Sequence, residues 1–180
     1  MAPDSVAVND VAPLPGGGFV STNWSATAPG EVWDWQARQG WQVLPGTEHI
    51  PGPNGILVSA DGRWVYFAGW QNRSVYRVSR SVSPPTLDRV TVDFHADNLN
   101  FAPDRSILAA GQACFQATCQ GQNSAVRVAR VNPETLAVVP LVDQPDTATF
   151  GGSTTAIQIG SDIWVGSFRG DRLAIFTSPH

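Results

Sequence analysis

The chain has 180 residues, of which 42% are hydrophobic and only 14% charged, so it can bury a core and is no disordered tail. A net charge of −4 without any basic cluster excludes nucleic acid as the main partner. No apolar run approaches the ~20 residues of a membrane span, and Met1-Ala2-Pro3-Asp4 lacks the basic start and apolar stretch of a signal peptide.

A first short strand begins at the polar head Asn9-Asp10-Val11, turns at Pro15-Gly16-Gly17-Gly18 and returns as Phe19-Val20-Ser21-Thr22. Trp24, Trp33, Trp35 and Trp41 follow, large aromatics of the kind that pack between neighbouring sheets. The pattern recurs as Asn54-Gly55-Ile56, the turn Asp61-Gly62-Arg63, and the strand Trp64-Val65-Tyr66-Phe67-Ala68. It recurs again as Asp97-Asn98-Leu99, the turn Pro103-Asp104-Arg105, and Ser106-Ile107-Leu108-Ala109-Ala110. Asn54 follows Asn9 by 45 residues and Asn98 follows Asn54 by 44, which fits the ~40–50-residue period of propeller blades. Residues 74–78 and 125–129 alternate with the period of two expected of further strands. Segments 154–157, 161–166 and 172–176 repeat the strand–turn–strand form without an Asn head, and no segment holds a helical period.

These elements predict an all-β chain: a β-propeller of four-stranded blades, about three to three and a half of them, spanning residues 1–180 as a partial domain. A half ring leaves sheet faces and edges open, which invites self-association. The chain is therefore either a piece of a longer product or one of two copies that close a ring.

In a propeller the starts of the innermost strands converge on one end of the axis. Asn9, Asn54, Asp97 and Asn98 would present oxygens there, suited to a hard cation such as Ca²⁺, which takes six to eight oxygen ligands. The plainer alternative is that Asn and Asp cap turns before strands. No head carries Cys or His, which speaks against zinc or copper. Cys114 and Cys119 are either two thiols or a local disulfide pinning a loop; the disulfide would place the protein in an oxidising compartment, periplasmic or extracellular. His95 would share the face of Asp97 in a regular extended strand, His49 and Glu48 sit in a loop, and His180 is terminal. Asn23-Trp24-Ser25 and Asn72-Arg73-Ser74 match the N-glycosylation pattern.

The heads in this order and spacing, with Gly151-Gly152-Ser153-Thr154-Thr155-Ala156 and Trp164-Val165-Gly166-Ser167-Phe168 at the end, resemble the paraoxonase/arylesterase pattern among the gluconolactonase-like propellers. The resemblance covers almost the whole chain and the C-terminal half of a six-bladed family member. It implies calcium-dependent hydrolysis of small-molecule lactones or aryl esters, with Asn9, Asn54, Asp97 and Asn98 on a catalytic calcium and Asp10 on a second, structural one. Asp97 would also orient or deprotonate the attacking water. As the alternative to packing between sheets, Trp24 and Trp70 are the candidates for an apolar wall on the leaving-group side. Two departures stand out: Thr22-Asn23 is followed by Trp24-Ser25 rather than Asp-His, and Gln112 stands where a histidine is common. The alternative is a non-catalytic propeller scaffold with at most a structural calcium.

Overall fold

The computed structural model describes residues 7–25, 28–114, 119 and 124–177; the readings of the first four residues and of His180 fall outside these. Fifteen strands and no α-helix are found among the described residues. They form four antiparallel sheets, each a meander of consecutive strands. Three sheets have four strands and the last has three, so the blade reading holds.

Two compact units divide the chain, Met1–Arg89 and Val90–His180. The first holds a sheet of β1 (Val8–Pro13), β2 (Phe19–Asn23), β3 (Glu31–Gln36) and β4 (Gly40–Val43). Its second sheet is β5 (Pro53–Val58), β6 (Trp64–Gly69), β7 (Ser74–Ser79) and β8 (Leu87–Thr91). The second unit holds β9 (His95–Phe101), β10 (Ile107–Gln112), β11 (Val126–Val131) and β12 (Val138–Gln144), then β13 (Ser153–Ile159), β14 (Asp162–Ser167) and β15 (Ala174–Thr177).

Period-two alternation builds each core. In the first unit Val20, Val32, Ile56, Val65, Phe67 and Val78 are buried together between the two sheets. In the second, Leu108, Ala110, Val126, Val128, Ala156, Ile163 and Val165 do the same. Each fully buried Val, Leu, Ile or Phe contributes about 1.5–3 kcal/mol. Three tryptophans also pack among themselves and Phe19. Trp35 stacks on Phe19 at 5.1 Å and Trp41 meets Phe19 and Trp33 edge-on, so their described ring contacts lie within the first sheet. Within the first unit the two sheets are also pinned by Arg80, whose guanidinium bonds Asp34 and the Gly62 carbonyl.

Candidate functional site

Every innermost strand breaks register at its polar head. Between the pairs Val8–Asn23 and Val11–Ser21, β1 places Asn9 and Asp10 against the single residue Thr22. In β5, Asn54 and Gly55 stand against Ala68 alone. In β9 the extra residue is Asp97, between Ala96 opposite Gly111 and Asn98 opposite Ala110. In β13 it is Thr154. A one-residue bulge bends the strand, frees backbone groups from the ladder and re-aims side chains, which is why bulges recur beside active sites. The Asn and Asp residues at these points therefore belong to bulges rather than to ordinary turn caps. The sequence reading missed the fourth head; Thr154 lacks an amide or carboxylate, and its place in the repeat was the available signal.

In the first unit, Asn9 is exposed and Asn54 buried, at 7%. Asp10 straps one sheet to the next: its Oδ2 accepts the backbone N–H of Ile56 and its Oδ1 that of Val11, both at 2.8 Å. The Asp10 N–H in turn donates to Thr22 Oγ1 at 3.1 Å. The strap receives the N–H of the first residue of β5 that is back in register after the second bulge.

The second unit is laced in a parallel way. Asn98 donates from Nδ2 to Asp97 Oδ1 and to the Thr154 carbonyl, both at 3.1 Å. Asn100, two residues on, donates to Thr155 Oγ1 and the Ala156 carbonyl. The Asn98 amide nitrogen is thus committed to Asp97 Oδ1 and the Thr154 carbonyl. Gln112, buried at the end of β10, donates to the Ser153 carbonyl, while its Oε1 is buried without a partner. Asn98 and Gln112 thus hold consecutive carbonyls of β13. His95 is buried opposite Gln112, and the extra residue at Asp97 interrupts the strict alternation on which a shared face of His95 and Asp97 rests.

No group of three or more His, Cys, Asp or Glu residues suited to a metal occurs among the described residues. The head residues offer amide and carboxylate oxygens, the chemistry of a calcium site. Glu48 and His49 are exposed on their loop. Trp24 and Trp70 are half-buried beside the heads, with the Trp24 indole N–H buried and unpartnered. Neither glycosylation pattern presents a ready acceptor: Asn23 bonds the Ala7 N–H and Glu31, and Asn72 donates to Tyr76 Oη with its own Oδ1 buried. Cys114 and Cys119 form a disulfide with Cα atoms 5.1 Å apart, beyond β10 at the same end of the sheet as the Asp97 bulge. This fits an oxidising compartment.

The profile of the SMP-30/gluconolactonase/LRE-like region matches residues 2–157. No curated protein matches the chain. Among solved structures, a luciferin-regenerating enzyme is similar with a TM-score of 0.61 at 16% identity, over 89% of this chain and 53% of that one. Virginiamycin B lyase from Staphylococcus aureus gives 0.64 at 13% identity, over 100% and 58%. A candidate gluconolactonase gives 0.65 at 10% identity, over 98% and 65%. The chain thus spans between about half and two-thirds of these structures. At such identities the likeness establishes the β-propeller fold, and a lyase among the neighbours shows that the fold does not fix the reaction.

Proposed function

The chain belongs to the SMP-30/gluconolactonase/LRE-like family, and on that premise we propose that it is part of a calcium-dependent hydrolase of lactones or aryl esters. The observation that carries this reading is the bulge at every head. A single extra residue, repeated in four sheets at the position of Asn9-Asp10, Asn54-Gly55, Asp97 and Thr154, is a device for aiming side chains rather than for pairing strands.

Asn9, Asn54, Asp97 and Asn98 are the proposed ligands of the catalytic calcium, and Asp10, the strap between sheets, that of a structural one. Bound calcium supplies a Lewis acid for the ester carbonyl and the oxyanion it becomes. Within the second unit, Asn98 holds Asp97 Oδ1 by its amide and so fixes the carboxylate plane. Asp97 then orients water and takes one of its protons as the hydroxyl adds to the carbonyl carbon. Cleavage of the acyl–oxygen bond and return of that proton to the leaving oxygen yields the acid and the alcohol. The disulfide suggests an oxidising compartment as the place of action.

The scaffold reading draws on the same unit, because Asn98 and Asn100 already lace β9 to β13. Exposed Val8 and Val11 on β1, and Ile157, Ile159 and Ile175 on the last sheet, are the surfaces through which self-association would occur in either case. Hydrolysis of a simple lactone and of phenyl acetate, followed with calcium and with a chelator, separates the readings. The hydrolase reading expects calcium-dependent turnover that falls about 100-fold or more in Asp97→Asn. Turnover absent with calcium would leave the scaffold, and turnover equal in the variant would remove Asp97 from the reaction.

A further inference from the structure

Each sheet has two faces, and the repeat decides which neighbour each face meets. Antiparallel partners share a face, so Val11 lies on one side of the first sheet with Trp33, and Phe19 lies there with Trp35 and Trp41. Ala12, Val20 and Val32 lie on the other side and pack against Ile56, Val65 and Phe67 of the second sheet. In the last sheet Ile157, Trp164 and Ile175 form a row on one face. Ala156, Ile163 and Val165, on its other face, pack against Leu108 and Val128 of the sheet before it.

Register gives these faces an order. Val11, Ile56 and Ala156 each stand three residues after the last pair ahead of a bulge. Ile56 and Ala156 are buried against the preceding sheet, whereas Val11, at the same place in the first sheet, is 53% exposed. Ala12, which follows Val11, is buried against the second sheet, whereas Ile157, which follows Ala156, is 45% exposed. The first sheet therefore shows the face that takes a preceding sheet, and the last shows the face that takes a following one. Both are apolar. Half-buried Trp33, Trp35 and Trp41 share the face of Val11, and exposed Ile159 and Ile175 share that of Ile157, with the Asp162 carboxylate at its rim.

We propose that copies of this chain associate head to tail, the Ile157 face of one packing on the Val11 face of another. A second copy is the occupant because it carries both faces and offers each in the order that the sheets of both units already use. The rows of Val11, Phe19 and Ile157 hold no charged side chain, so packing them together strands none. Such a contact joins unlike patches, so it either closes between copies or continues. It uses neither Asp97 nor calcium and stands apart from the hydrolase reading. Sedimentation velocity over a concentration series tests it on the chain, on Val11→Glu and Ile157→Glu, and on Val82→Glu, whose exposed side chain lies between β7 and β8. The parent and Val82→Glu are expected to form dimers or longer species as concentration rises. A carboxylate buried without a partner should weaken association at least about tenfold in Val11→Glu and in Ile157→Glu. Both positions are exposed, so circular dichroism should keep the parent's strand signature; Val11→Ser and Ile157→Ser repeat the comparison without an added charge. Each face variant keeps one sound face, so an equimolar mixture of Val11→Glu and Ile157→Glu is expected to associate at a concentration where neither does alone. A parent that stays monomeric, a face variant that associates like the parent, or a mixture that stays monomeric would overturn the head-to-tail contact.

Discussion

Replacing Asp10 by alanine tests whether the bulged heads hold the first unit together. The side chain accepts two backbone N–H groups at 2.8 Å, from Val11 on its own strand and from Ile56 on the next sheet. Hydrogen bonds to a charged acceptor contribute about 1.5–3 kcal/mol each, and a buried donor left unmet costs about 1–3 kcal/mol. The two losses differ in context. Val11 is 53% exposed, so water can replace the carboxylate there, whereas Ile56 is 2% exposed and its N–H has no second acceptor in the strap. The expected loss is therefore about 3 kcal/mol, nearly all from Ile56. Asp10→Asn keeps one acceptor oxygen and loses about half as much. Urea unfolding followed by tryptophan fluorescence reads this unit, because six of the seven tryptophans lie before Arg89. A loss below about 0.5 kcal/mol in Asp10→Ala would show that the strap carries no stability and would refute the reasoning.

Three more expectations follow from the same geometry. Gly111→Ala places a Cβ 1.9 Å from the His95 carbonyl oxygen; backbone cannot yield cheaply, so a loss of about 3 kcal/mol is expected in chemical denaturation, and a neutral result would contradict the close approach of β9 and β10. Asp104 accepts from the hydroxyl and N–H of Ser106 and lies beside Arg130, which holds its carboxyl below the ordinary 3.8, the Ser106 hydroxyl being the largest cause. A depressed acid stabilises the fold above its unfolded value and loses that contribution as pH falls through the folded one. The fall in melting temperature below about pH 4 should accordingly be shallower in Asp104→Asn than in the parent, and identical slopes would count against the contact. Paired Cys114→Ser and Cys119→Ser substitutions open a short loop closed across five positions; chain entropy predicts a loss of about 2 kcal/mol by denaturant titration, and an unchanged midpoint would mean that the loop is ordered without its bridge.

The strands with a clean signal were legible in the sequence. β6 and β10 are short apolar runs buried at nearly every residue and bounded by turn residues, and β7 and β11 alternate in sequence, so each declares a strand. The outer strands β8 and β12 were not recognised. They read as eieie and ieeiBee in burial, and β12 contains Pro140, as an outer strand that need not donate on both sides can. β3 hid behind its tryptophans: Trp33 and Trp35 fall two apart, as strand residues should, yet they read as loose aromatics because β4 is only four residues long. The head positions were visible from the repeat, but their bulges were not. A bulge is a mismatch between two strands, and Asn54 or Asp97 carries no local mark of the count on its partner. The strap from Asp10 to Ile56 joins residues 46 apart, beyond the reach of any local pattern.

The central claim is that the oxygens of the bulged heads bind calcium with Asp97 as the charged ligand. Isothermal titration calorimetry of the chain with Ca²⁺, beside Asp97→Ala, tests it most directly. The account predicts saturable binding in the parent that is lost in the variant while the variant keeps the parent's strand signature by circular dichroism. Absence of binding in the parent, or binding undiminished in Asp97→Ala, would contradict it.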